Sequence, residues 1–356
     1  MGTDTPLQCV MPWKALFMDE CDGRVAALPC CLSWIRRDYG TVGTAPLEEL
    51  WNSEGAQEIR RLIASGRQEE VCDTHCPYWM SGRYGESALR IVDGPPEFVA
   101  NQETNLAEIR ERRTVLRSRP MLLKVLPTLR CNIRCSMCFQ DHYGSVDIGE
   151  NFWAEIDQLL PVSHEITFQG GEVTLDRHFR QFLTSESLRA HPHVRINLIT
   201  NGTVLDKELS DALNAVRMNY VIVSVNAATR DTYTRVAKKD LFDRVIGNLR
   251  GWIELADQHP CERFSVYASF VVMRSNFREL PQFIRLAEGM GAEVQLLNVI
   301  GDREGEDIFV RRDEHEALRI VLDEASGSAH KSTKEQVERI RKVLESHQVD
   351  TEGEGR

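Results

Sequence analysis

The chain is expected to fold as an α/β protein, a partial (β/α)6 TIM-like barrel preceded by a small cysteine-rich domain. Three observations predict this. From Met121 to about Ile300, six short apolar runs alternate with helix-length amphipathic ones, the pattern of right-handed crossovers in a parallel sheet. Before residue 93 the pattern differs, with six of the ten cysteines and little sign of strands. Finally, a loop carrying three more cysteines follows the first strand of the barrel, the end where such barrels place their chemistry.

The elements follow in order. In residues 1–92 the clearest is a helix over PLEELWNSEGAQEIRRLIASG. Pro46 suits its first turn, Leu47, Leu50, Trp51, Ile59, Leu62 and Ile63 form its apolar side, and Gly66 suits its end. DGPPEF opens a stretch, 93–120, that reads as a linker. The strands of the barrel, over 121–300, are expected at 122–126, 165–168, 194–200, 220–224, 264–272 and 293–299. Helices between them include DALNAV, FDRVIGNLRGWIELA and LPQFIRLAEGM. The last part, 301–356, reads as a charged tail with two helices, RRDEHEALRIVLDEA and KEQVERIRKVLESH, to which no chemistry is assigned.

Composition narrows the function. With 54 acidic against 43 basic residues and a net charge of -11, a sequence-independent grip on nucleic acid is not expected. The first residues lack the basic start and apolar run of a signal peptide, and no apolar stretch approaches the ~18 residues of a membrane span. A cytoplasmic location is expected, where thiols stay reduced and clustered cysteines are better metal ligands than disulfides.

Cys131, Cys135 and Cys138 have the spacing C-x3-C-x2-C. A structural zinc site would want four closed ligands, and His142 is badly placed for the usual pairs. Iron-sulfur clusters normally take four cysteines, so three leave one iron open. The motif resembles the signature of the radical S-adenosylmethionine superfamily, in which the open iron chelates the cofactor. Three further stretches resemble the family in order and spacing. In FQGGEVTL, Gly170, Gly171 and Glu172 match the Gly-Gly-Glu motif, with Val173 where proline is usual. In LITNGT, Thr200 and Asn201 lie near the cofactor, and in VIVSVNAATRDTYTRV, Ser224 and Asn226 reach toward its ribose or carboxylate. The resemblance also puts Met137, where an aromatic residue is common, near the adenine. Ala237 stands about where many relatives carry arginine, so the carboxylate clamp is left open among Arg235, Lys238 and Arg274.

The first domain resembles the twitch or SPASM type of auxiliary-cluster module, placed before the barrel rather than after it. Cys9, Cys30, Cys72 and Cys76 are the chosen ligands of a second 4Fe-4S cluster, with Cys31 the main competitor for Cys30 and Cys21 behind it. Four thiolates also suit zinc, and His75 is read as a surface or outer residue. Cys261, Cys21 and Cys31 are candidate hydrogen donors, although a lone cysteine such as Cys261 is also an ordinary small hydrophobe.

The resemblance implies reductive cleavage of S-adenosylmethionine to a 5′-deoxyadenosyl radical, with reduction by a flavodoxin or ferredoxin type of donor. Dehydrogenation, with the auxiliary cluster as electron acceptor, and epimerisation, with a thiol as hydrogen donor, both stay open. Only eight residues precede Cys9, too few for a leader-recognition domain, which favours a small-molecule or sugar-like substrate over a peptide. A non-catalytic metal-binding scaffold is the third reading, and it would not need the Gly-Gly-Glu and Thr-Asn-Gly motifs in register with the cysteine loop.

Overall fold

The structure is a computed structural model and describes residues 6–74, 76–138 and 150–353. His75 and His142 lie outside the described residues. The chain forms two compact units. The first comprises Met1–Arg130, Tyr143–Asn197 and Ala215–Arg217, and the second Cys131–His142, Leu198–Asn214 and Met218–Arg356.

In the first unit, β1 (Ala15–Cys21) and β2 (Arg24–Leu28) form a hairpin, and β3 (Gly40–Thr41) borders β2. Asp22 and Gly23 make its two-residue turn, both at positive φ (50° and 80°), and the Gly23 amide donates to Glu20 Oε1 at 2.7 Å. The cysteine-rich region thus contains strands that its sequence did not announce. β1 also runs parallel to β4 (Leu122–Val125), with Phe17 opposite Lys124, and β4 runs parallel to β5 (Glu165–Phe168). A buried ion pair, Lys124 Nζ to Asp19 Oδ2 at 2.6 Å, joins β4 to β1. The strand order in this unit is β3-β2-β1-β4-β5. The N-terminal hairpin and the first two barrel strands therefore share one sheet.

The expected helix over 46–66 is broken in two, Leu47–Trp51 and Glu54–Ala64, because Ser53 caps the second piece by accepting from the Ala56 amide at 3.2 Å. The expected linker is a helix, Pro96–Arg110, which holds the following loop with buried polar side chains. Asn101 pairs with the backbone of Arg119 through both ends of its amide. Glu108 accepts from the Arg117 and Ser118 amides and from the Ser118 hydroxyl. A helix that buries Asn101, Asn105 and Glu108 has no clean apolar stripe, which is why its sequence reads as a linker.

β6 (Arg195–Thr200) begins in the first unit and ends in the second, which contains most of β7 (Arg217–Ser224) together with β8 (Ser265–Val272) and β9 (Glu293–Asn298). β7 is parallel to β8, and β8 to β9. Each strand from β4 to β9 is followed by at least one helix, the six units of the expected partial barrel. The C-terminal segment is not a free tail. Its last helix, Lys331–Gly353, packs on β9, burying Val337, Ile340 and Leu344 while Arg339 donates to the Leu296 carbonyl.

Candidate metal centre and cofactor site

In the first unit, the segment after β5 continues the strand pairing beside the chain that leads into the cysteine loop. Gln169 N donates to Val125 O at 3.0 Å, Gly171 N to Thr128 O at 2.8 Å and Glu172 N to Arg130 O at 2.8 Å. Such close approach excludes side chains. A Cβ at position 170 would lie 2.4 Å from Thr128 O, and one at 171 would lie 2.3 Å from Arg130 O. The glycines are required by the protein's own backbone. The Glu172 side chain is fully buried, and its Oε1 accepts from the Thr174 amide (3.1 Å) and hydroxyl (2.6 Å).

In the second unit, the cysteine loop is anchored along its length. The Arg134 and Ser136 amides donate to Ala237 O (3.1 Å) and Val236 O (2.9 Å), the last carbonyls of helix Arg230–Ala237. Asn201, just past β6, donates from Nδ2 to Cys131 Sγ at 3.5 Å and to Asn132 Oδ1 at 2.8 Å, while Asn132 donates to Thr203 Oγ1 at 2.9 Å. Thr200 Oγ1 accepts from the Gly202 amide. Glu306, buried and drawn from the segment read as a tail, accepts from Ser136 Oγ at 3.0 Å and from the Ser275 amide at 3.0 Å. Arg303 donates to Cys138 O. Cys131 is exposed, and Cys135, Cys138 and Met137 are half-buried. The sequence reading missed Asn132, Thr203, Arg303 and Glu306. Thr203 belongs to the quoted LITNGT, but nothing local marks Arg303 or Glu306.

Ser224 ends β7, opposite Ser269. Asn226 is differently placed from expectation. It is buried at φ 59°, and its Oδ1 accepts from the Val271 amide at 2.8 Å. Its amide oxygen thus anchors the backbone of β8. The open choices for the carboxylate clamp all have partners. Arg235 bonds Thr232 Oγ1 and Ser275 O, Lys238 pairs with Glu304 at 3.0 Å, and Arg274 with Glu314 at 2.5 Å.

Helix Arg230–Ala237 is itself held by Glu279, which accepts from the Ala228 and Thr229 amides and from the Thr229 and Thr232 hydroxyls. Burial pushes the Glu279 carboxyl up, but these four donors outweigh it and hold the group below its ordinary value. A depressed carboxylate stabilises the fold above the ordinary carboxylate range and loses that contribution as pH falls through its native value. Chemical denaturation of the wild type is expected to show this loss below about pH 4. Glu279→Gln should be less stable by about 2 kcal/mol at neutral pH and show a shallower acid limb. An unchanged acid limb would remove Glu279 from this role.

In the first unit, Cys9, Cys30, Cys72 and Cys76 come together. Cys9 precedes the turn at Met11–Trp13, Cys30 follows β2, Cys72 bridges to Ile35, and Cys76 caps helix Pro77–Ser81. Burial pushes the Cys9 thiol up to about 11, with Cys76 adding to it and the Met11 amide opposing. Burial also raises Cys72 to about 12, reinforced by Cys9 and Cys76. Cys30 is raised by burial and then by Cys9, Cys72, Cys31 and Cys76, so it interacts with all three chosen partners. Cys31 places its sulfur against Ser33 Oγ at 3.5 Å. Cys21, at the hairpin tip, faces Asp22, with Arg24 and Asp38 as its other charged neighbours. Cys261 is exposed before β8, at the opposite strand end from Ser224 and Asn226, which argues against a role as hydrogen donor.

Among the described residues, no three Cys, His, Asp or Glu side chains enclose a single bare ion. Thiolates are the ligands iron-sulfur clusters take, so the four-thiol group and the three-cysteine loop suit such clusters by their chemistry. This fold and these thiols are those of an iron-sulfur type of protein.

The family comparisons agree. A profile of the Radical SAM superfamily matches residues 125–286, and one of the SPASM iron-sulfur cluster-binding domain matches residues 9–77. The chain carries a Radical SAM domain over residues 125–286 and a SPASM domain over residues 9–77, at its N-terminus. The two domains imply a 4Fe-4S cluster that binds S-adenosylmethionine, an auxiliary cluster and S-adenosylmethionine itself, so zinc in the first domain is not the reading they support. The chain is 25% identical over 213 residues to a probable GTP 3′,8-cyclase of Saccharolobus solfataricus, covering 57% of this chain and 65% of that protein. It is 24% identical over 183 residues to the Methanocaldococcus jannaschii counterpart, covering 50% and 58%. It thus spans less than two thirds of the curated relatives it matches. Similar solved structures include Streptococcus suis SuiB bound to S-adenosylmethionine, with TM-score 0.48, 15% identity, and 78% and 62% coverage. Another is anSMEcpe with AdoMet and the Cp18Cys peptide, with TM-score 0.45, 20% identity, and 58% and 59% coverage. No helix among the described residues is long and apolar enough to cross a membrane.

Proposed function

We propose that this radical SAM enzyme dehydrogenates a small-molecule or sugar-like substrate, in the cytoplasm and with a flavodoxin or ferredoxin type of electron donor. When bound, the reduced cluster and S-adenosylmethionine supply a 5′-deoxyadenosyl radical that takes one hydrogen atom from the substrate. Cys131, Cys135 and Cys138 would hold that cluster, and their loop offers no fourth thiol to close it. Asn201 orients Cys131, and the Gly170-Gly171-Glu172 segment braces the chain entering the loop. Cys9, Cys30, Cys72 and Cys76 hold the auxiliary cluster.

The convergence of those four thiols carries the reading. Four thiolates would ligate a cluster fully and leave no open iron to bind substrate; when bound, such a centre would supply an acceptor for the electron released in a dehydrogenation. The named activity of the sequence relatives, on GTP, supports a small-molecule substrate. A second reading, epimerisation, rests on Cys21, which ends β1, a strand parallel to β4.

Anaerobically reconstituted protein given S-adenosylmethionine and dithionite is expected to release 5′-deoxyadenosine. Release should rise with one member of a nucleotide and sugar panel. No release at all would leave a metal-binding scaffold, and stimulation by peptides alone would overturn the substrate class. Cys72→Ala should keep the uncoupled cleavage and lose the second cluster.

A further inference from the structure

In the first unit a cavity of about 20 Å³ lies beside Lys14 and Met121, the residues that precede β1 and β4. It is therefore at the opposite end of β4 from Thr128 and Arg130, which lead to the cysteine loop. Leu89, Ile91, Leu106 and Met121 give it apolar walls, Lys14 and Arg90 bring its charges, and no acidic residue lines it. Lys14 is half-buried, and among the described residues its ammonium has no hydrogen-bond or ion-pair partner. Burial lowers the group from its ordinary value with no charged neighbour opposing. Arg90 donates to the Ser87 and Leu89 carbonyls, at 3.1 and 2.6 Å, and pairs with no carboxylate. A chain with 54 acidic residues has many ways to pair a lysine that leaves water, as it does at Lys124 with Asp19. An unpaired ammonium in an apolar setting carries a desolvation cost that a bound anion would offset.

The outer wall says what kind of anion fits. It belongs to segment 89–95, which has no regular secondary structure and is pinned by Gln102. Gln102 Oε1 accepts from the Val92 amide at 2.9 Å, and its Nε2 donates to the Val92 carbonyl at 2.9 Å. Held there, Ile91 and Val92 are 44% and 42% exposed, two of the large apolar side chains that the described residues leave in solvent. A water molecule fits the volume and accepts a hydrogen bond, but it leaves the charge uncompensated and the apolar mouth uncovered. We propose that this cavity binds a short free aliphatic carboxylate, with its head on Lys14 and its chain against Leu89 and Ile91. The head gains a charge-assisted hydrogen bond, and the chain covers exposed apolar surface. The N-terminal strand ends of such barrels serve stability rather than catalysis, so this site is separate from the proposed reaction and does not rest on it.

The test is titration calorimetry of the full-length, anaerobically reconstituted protein with butyrate at neutral pH, with ionic strength held constant by chloride. One saturable site is expected, with a dissociation constant on the order of 1 mM. Butan-1-ol keeps the apolar chain and lacks the charge, and it should bind about tenfold more weakly. Butyrate should bind Lys14→Met more weakly by a similar factor, because a hydrogen bond between charged groups is lost in each case. Lys331→Met, at an exposed lysine paired with Glu335, is the control and should bind butyrate as the wild type does. No saturable butyrate binding, equal binding of butan-1-ol, or full retention by Lys14→Met overturns the inference. If Lys14→Met does not fold, Ile91→Glu decides. That exposed position tolerates a charge, and a carboxylate at the mouth should weaken butyrate binding about tenfold. An unchanged affinity in Ile91→Glu would overturn the proposal as well. The readout requires no turnover, so failure here leaves the proposed reaction standing.

Discussion

Replacing Cys131, Cys135 and Cys138 together by alanine is expected to lower the iron content of anaerobically reconstituted protein from about eight to about four per chain. Release of 5′-deoxyadenosine should fall to background. The remaining iron should keep the EPR signal of a fully ligated cluster, because Cys9, Cys30, Cys72 and Cys76 belong to a different compact unit from the loop. Loss of all iron would show that the first-domain thiols hold no cluster of their own. Retention of eight would mean that the loop is not a cluster site, and the radical chemistry would go with it.

Gly171→Ala is the second large effect, and it works through packing rather than ligation. The new methyl would stand 2.3 Å from Arg130 O and 2.5 Å from Leu129 O, both backbone atoms that no side-chain rotation can move. Relief requires breaking the Gly171–Thr128 and Glu172–Arg130 hydrogen bonds that brace the chain entering Cys131. A cost of about 3 kcal/mol is expected, in the range of buried overpacking. It should appear as a lower denaturation midpoint together with loss of the S-adenosylmethionine-binding cluster and retention of the auxiliary one. Gly289→Ala, where an added methyl meets nothing within 4 Å, is the control. If Gly171→Ala behaved like that control, the bracing role would be wrong.

Much of this architecture was legible in the chain. The strands of the barrel are β-branched and apolar runs set between amphipathic helices, and those periodicities are local properties. The expected 165–168 run is β5, and the 264–272 run differs from β8 by one residue. Cysteine spacing is local too, so the three-cysteine loop could be read directly. The helix Pro96–Arg110 could not, because Asn101, Asn105 and Glu108 are buried by partners in the loop that follows, and a buried polar residue looks exposed until its partner is known. Asn226 sits in a stretch that resembles a cofactor contact, and its amide oxygen accepts from the Val271 amide.

The sequence by itself determined the class of chemistry: a strand, a loop with three thiols, a double glycine and a second cysteine set are all short-range patterns whose residue types already imply thiolate-bound iron. Only the tertiary structure decided which groups serve those thiols. Cys30, distant in sequence from two of them, interacts with Cys9, Cys72 and Cys76. Glu306 reaches Ser136 across 170 positions. Electrostatic balance and hydrogen-bond satisfaction depend on distance in space, and distance along the chain carries almost no trace of it.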